Sequence, residues 1–153
     1  MGKSKYLIDI TNQQTLLPIH SQKVKSLARA VFVLEKVVAS QPIELGIAFV
    51  NDRKIRFLNS KFHHQNKATD VLAFPMDISM PKEGPWMMGE VVVSVERALV
   101  HSKRFKMDFK KEVALYIVHG ILHLLGYKDD QDHRAKKMWE RQNYILEKAY
   151  RGI

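Results

Sequence analysis

The chain contains no cysteine. That excludes a disulfide-held fold and any thiolate site, so a metal would have to be held by His, Asp or Glu. The same absence suits a reducing cytoplasm. Nor does any segment approach the roughly 20 apolar residues needed to span a bilayer. The most apolar stretch, residues 113–125, is shorter, includes two histidines and follows Lys110, Lys111 and Glu112, so it reads as a buried core helix rather than a membrane span. The opening MGKSKYLIDI lacks the apolar h-region and small-residue cleavage site of a secretory signal. Gly2 is not followed by the Ser or Thr that a myristoylation start requires, because Tyr6 stands there. Acidic residues are scarce, 16 against 25 Lys and Arg, for a net charge of +9. A field of that sign favours a polyanionic partner and an affinity that falls with salt, although charge alone leaves RNA, DNA and a membrane face open.

What remains is an ordinary globular composition, 46% apolar and 27% charged over 153 residues, enough for one real core. No repeat, low-complexity tract or linker divides it, so residues 1–153 read as a single domain. Residues 5–11 (KYLIDIT) and 43–50 (IELGIAFV) have strand character. Between them Ser21 is placed to cap a helix to about residue 38, with Val24, Leu27, Ala28, Val31, Leu34 and Val38 at helical spacing. Asn51 caps a short helix in which Ile55 and Leu58 face inward.

Residues 69–76 read as a strand ended by Pro75, and residues 75–88 as a loop, with three of the five prolines. Met76, Met80, Met87 and Met88 are expected to fill gaps beneath that loop. A strand over 90–95 leads into a helix opened by Glu96. Asp108 caps the apolar helix that stops at Gly126, and a last helix starts near Asp132, capped by Asp132 or Asp130, with Ala135, Met138, Trp139, Ile145 and Ala149 inward. Three or four strands with about five helices, not strictly alternating, imply an α+β layered fold with a mixed sheet.

The segment HGILHLLGYKDDQDH, residues 119–133, carries the chemistry. Residues four apart on a helix lie one above the other, so His119 and His123 can offer both imidazoles to one ion. Gly126 permits an abrupt left-handed helix end, and the chain doubles back to bring Asp129 within reach. His133 is the other chemical candidate for a third ligand, but it lies seven residues past Gly126, already at the start of the last helix. Two His and one carboxylate with an open position is a recognised catalytic zinc arrangement. Gly120 stands where the protease motif HExxH has its general-base Glu, which disfavours peptide hydrolysis.

These residues resemble the signature H-G-x-L-H-L-x-G-Y-D-H of the YbeY family of bacterial metal-dependent endoribonucleases. Leu58-Asn59 followed by residues 68–74 (ATDVLAF) is similar to the family's LN…PTDVLSF, Gly89-Glu90-Val91 to its G-D-I, and Met138 keeps the family's distance from Gly126. The resemblance implies a small zincin-like α+β domain with one zinc per chain. His119 and His123 match catalytic zinc ligands, and the gapless match puts Asp129 where the family has a third His. It also implies cleavage of single-stranded RNA, with roles in 16S ribosomal RNA 3′-end maturation and ribosome quality control at the small ribosomal subunit, in the cytoplasm and with no membrane partner. The family's phosphate-binding Arg is matched by His63, with Lys61 and Lys67 nearby as further substrate-binding candidates. Two other readings compete. One is a metal-dependent peptide or ester hydrolase, the other a ribosome-associated RNA-binding factor whose metal is structural.

Overall fold

A computed structural model describes residues 5–77 and 79–153. The N-terminal reading of residues 1–4 lies outside them. In chain order the elements are β1 (Tyr6–Asn12), α1 (Ser21–Leu34), β2 (Ile43–Val50), α2 (Asp52–His63), β3 (Val71–Pro75), β4 (Trp86–Ser94), α3 (Val95–Phe105), α4 (Phe109–Leu124) and α5 (Asp132–Ala149). Four strands form one sheet in the order β1-β2-β4-β3. β1, β2 and β4 run parallel and β3 runs antiparallel to β4, which leaves β3 as a free edge. Among the described residues the expected mixed α+β sheet with five helices is therefore present.

Strand alternation divides the core between the two faces of this sheet. Ile47, Phe49, Val91 and Val93 face α1, α4 and α5 in the larger cluster, while Ala48, Val50, Leu72 and Val92 face Ile55 and Leu58 of α2 on the other side. α4 lies closest to the sheet. A Cβ added at Gly120 would meet Val91 Cγ1 at 2.4 Å and Val71 Cγ2 at 3.1 Å, so the helix can approach β4 and β3 only because this position has no side chain. Asp108 Oδ1 accepts from the Lys111 N–H at the start of α4. At its end Gly126, at φ +101°, closes a Schellman motif, with Gly126 N–H on His123 O and Tyr127 N–H on Leu122 O.

Several boundaries differ from the expectation. α1 stops at Leu34 rather than near Val38, which is 81% exposed. Lys36 takes a left-handed φ of 56°, and the Val37 N–H returns to Phe32 O, the same closure as in α4 but without a glycine to signal it. His20, not Ser21, caps that helix, and Ser94 rather than Glu96 caps α3. Glu96 instead accepts from the Asp52 N–H. β3 is shorter than residues 69–76, and β4 begins at Trp86 rather than Glu90 because β2 pairs with it from Ile43 onward. Of the four methionines only Met88 fills the core; Met76, Met80 and Met87 are exposed. Gln131 occupies the cap position of α5 with no side-chain bond, so neither Asp130 nor Asp132 caps it. Trp139 is 62% exposed, and Gln142 and Leu146 take up the inward stripe with Met138 and Ile145.

Candidate metal centre

His119 and His123 project from the last two turns of α4, and Asp129 from the turn that follows Gly126. Their Nε2 atoms lie 3.0 Å apart, and Asp129 Oδ2 lies 3.6 Å from the first and 3.5 Å from the second. A tetrahedral zinc with bonds of about 2.0–2.1 Å has ligand atoms about 3.3–3.4 Å apart, close to these three separations. Among the described residues this is the group of His, Asp and Glu that could hold a metal ion. His133, on the first turn of α5, is not in it.

The outer ring nitrogens determine which atoms face the centre. His123 Nδ1 donates to the Tyr127 carbonyl oxygen at 2.9 Å, an atom that can only accept. His119 Nδ1 meets Gln142 Oε1 at 2.8 Å. With a proton on Nδ1 of each ring, both Nε2 lone pairs point inward, toward each other and toward a carboxylate oxygen. Three electron-rich atoms so placed repel one another unless a cation lies among them, so the donor set fits a divalent metal. Burial also holds the His119 pKa below its ordinary 6.5; the His123 ring adds to the shift and the Gln142 bond opposes it. The neutral, metal-binding form is favoured.

A further network fixes the turn. Tyr127 donates its hydroxyl to Glu35 Oε2 at 2.7 Å, and Arg141 bonds the other Glu35 oxygen and, through its second nitrogen, the Leu34 carbonyl at 2.8 Å. Burial and the Glu35 bond push the Tyr127 pKa up to about 12, so the hydroxyl stays protonated and donating. Adjacent residues of α5 therefore serve both rings. Gln142 holds His119 directly, and Arg141 holds His123 by way of Glu35 and Tyr127.

The triad opens into a cleft of about 440 Å³, whose lining includes Asp70, Val71, His101, Glu112, Leu115 and Tyr116. His63, Lys61 and Lys67 do not line it. His63 ends α2 on the opposite face of the sheet, its ring 5.6 Å from that of Phe74 on the edge strand β3. Lys61 Nζ lies over the Phe62 ring at 5.3 Å, and Lys67 borders a separate depression with Arg53 and Arg56. Gln142 had a legible signal, a polar residue on an otherwise apolar stripe of α5. Glu112 and Tyr116 share the helical spacing of His119 and His123. Asp70 lies in the ATDVLAF stretch that the resemblance had singled out, whereas His101 reaches the cleft from α3 and carried no such mark.

Comparisons with known proteins point to one family. The family model described as Endoribonuclease YbeY matches residues 9–150. Endoribonuclease YbeY of Clostridioides difficile (strain 630) is 37% identical over 111 residues, 69% of this chain and 71% of that protein. The protein of the same name from Chlamydia pneumoniae is 31% identical over 149 residues, covering 95% of this chain and 92% of its own length. The solution structure of TM1509 from Thermotoga maritima superposes with a TM-score of 0.62 at 27% identity, over 92% of this chain and 87% of that one.

Proposed function

The chain belongs to the Endoribonuclease YbeY family, and from that premise we propose that it is a zinc-dependent endoribonuclease, specific for single strands, that acts in 16S ribosomal RNA 3′-end maturation and ribosome quality control. The observation that carries this reading is the convergence of two imidazole Nε2 atoms and one carboxylate oxygen within 3.6 Å of one another. His119, His123 and Asp129 would hold one zinc per chain, and zinc in such a site supplies Lewis acidity toward a phosphodiester and acidifies water. Gln142 and Tyr127 orient the two imidazoles. The cleft admits a strand beside them, and β3 leaves its edge open. RNA crossing that edge meets His63 and Lys61 on α2 and Lys67 in the connection to β3, which we assign to binding its phosphates. The net charge of +9 serves the same polyanion and predicts binding that weakens with salt.

A peptidase reading is disfavoured because position 120 faces Val91 and Val71 of the sheet, where a Glu side chain has no room. No helix among the described residues is long and apolar enough to cross a membrane. A cytoplasmic site of action at the small ribosomal subunit belongs to the same proposal.

The test is metal analysis of the purified protein followed by digestion of single-stranded and duplex RNA, with and without chelator. One zinc per chain is expected, with cleavage of the single strand alone, lost on chelation and restored by zinc. RNA that is bound but left intact by zinc-replete protein would instead identify a binding factor with a structural metal.

A further inference from the structure

The cleft continues past the triad along α4. Glu112, Tyr116, His119 and His123 stand on one stripe of the helix, and all four line the same cavity. The first two are buried, at 3% and 5% exposure; Glu112 Oε2 has no hydrogen-bond partner, and the Tyr116 hydroxyl has only the nearby Asp70 carboxylate, outside hydrogen-bond geometry. Arg97 Nε and His101 Nδ1, from α3, are in the same condition. Arg97 Nε lies 4.0 Å from Asp70, beyond a hydrogen bond, and His101 attracts the Glu112 carboxylate without bonding Oε2. Buried polar atoms are ordinarily paired, and unpaired ones on three residues that line one cavity, Glu112, Tyr116 and His101, mark a place where a polar ligand belongs. Leu115 and Val71 supply apolar walls.

We propose that this inner end of the cleft is a nucleobase subsite, and that it selects guanine for the nucleotide beside the phosphodiester held at the triad. The inference rests on the ribonuclease reading above. Glu112 precedes His119 by seven residues, about 10 Å of helix rise, a distance that one nucleotide spans from phosphate to base edge. A flat base suits apolar walls, and its edge carries partners for the Glu112, Tyr116 and His101 atoms. Guanine presents N1–H and N2–H side by side, two donors for the one Glu112 carboxylate, while its O6 accepts from the Tyr116 hydroxyl. Adenine and cytosine offer a carboxylate only an amino group, and uracil a single imide N–H.

The experiment titrates GMP, AMP, CMP, UMP and ribose 5-phosphate into the full chain, zinc-loaded and metal-free, by calorimetry. GMP should bind about tenfold more tightly than the other four compounds in both forms, the factor that one good side-chain-to-base pairing contributes. Glu112→Gln should bring GMP to the level of the others, and Tyr116→Phe should weaken it in part. Melting curves check that both variants fold, and the Phe variant decides if the Gln variant does not. Equal binding of all five compounds, preference for another base, or a GMP preference untouched by either substitution overturns the proposal. Cleavage of single-stranded RNA by the same wild-type preparation separates the two readings. Cleavage without base selectivity refutes the subsite alone, whereas no cleavage by zinc-replete protein refutes the ribonuclease reading, whatever GMP does.

Discussion

The Tyr127 hydroxyl donates to Glu35 across 92 residues of sequence, at 2.7 Å, while the carbonyl of the same tyrosine accepts from His123. One residue thus connects a metal-facing imidazole to the end of α1. Tyr127→Phe removes the hydroxyl and leaves the carbonyl, so the turn loses its anchor but not its ring contact. We expect zinc affinity to fall about 10-fold, the low end of what partners of metal-bound histidines contribute. Glu35→Gln, which also loosens Arg141, should fall further. Competition against a chromogenic chelator measures both, and unchanged affinity in the two variants would show that the turn holds its shape without them.

The ligand set can be ranked by alanine substitution. His119→Ala and His123→Ala should abolish stoichiometric zinc. Asp129→Ala should lose affinity by orders of magnitude, while His133→Ala should cost little. Asp129→His should keep the metal, and because a neutral ligand donates less charge, cleavage should begin at lower pH. Zinc titrations that ranked His133 above Asp129 would require the turn after Gly126 to rearrange on metal binding.

Glu112 should leave a pH signature on stability. Burial, its dominant influence, raises the carboxyl pKa above 4.5 in the folded chain. A carboxyl shifted upward contributes most below 4.5, and that contribution is lost as pH rises through the folded value. Above the folded value the wild-type protein buries an ionised carboxylate with Oε2 unpartnered. Glu112→Gln should raise the Tm of metal-free protein at pH 8 by roughly 2–4 °C, what about 1 kcal/mol yields in a chain of this size. The two melting temperatures should converge toward pH 4.5. A gap of constant size would mean that the carboxyl does not titrate in this window.

Gly120 can be tested by adding one carbon. Gly120→Ala places a methyl group 2.4 Å from Val91 Cγ1, so α4 must lift from the sheet. Overpacking of this kind destabilises by about 1–3 kcal/mol, and the double variant with Val91→Ala should recover part of the loss, because the two sites touch. Additive losses in denaturant melts would place the strain elsewhere. Gly120→Glu, which recreates HExxH, should fail to fold rather than acquire peptidase activity.

Much of α4 was legible because its signals are local: a capping Asp108, an apolar run and a glycine stop all fall within 19 residues, from position 108 to 126. The triad was legible for the same reason, since its members are separated by single turns. What escaped depended on distant partners. β4 starts at Trp86 because β2 pairs with it there, and nothing in a segment following Gly84 and Pro85 announces that. Lys36 ends α1 in a left-handed conformation that composition gives no reason to expect. Trp139 reads as core by hydrophobicity, yet the orientation of α5 is fixed by Gln142 reaching His119 and Arg141 reaching Glu35, which turns Trp139 outward. Likewise Met76 and Met80 are exposed along a loop whose path their own chemistry does not determine.

The separation of ligands from the groups that orient them sets an order of events during synthesis. His119, His123 and Asp129 leave the ribosome close together, but the Oε1 atom that fixes the His119 tautomer arrives 23 residues after that histidine, on the last helix. Until α5 docks, either nitrogen of the His119 ring can carry the proton, and the nascent segment is no better a chelator than any short peptide with two histidines. On the proposed reading, tight capture of an ion therefore waits for the docking of α5. A metal held there would act as a late clamp on a finished fold, not as the nucleus around which it forms, and a copy truncated before α5 would keep His119, His123 and Asp129 yet hold an ion poorly.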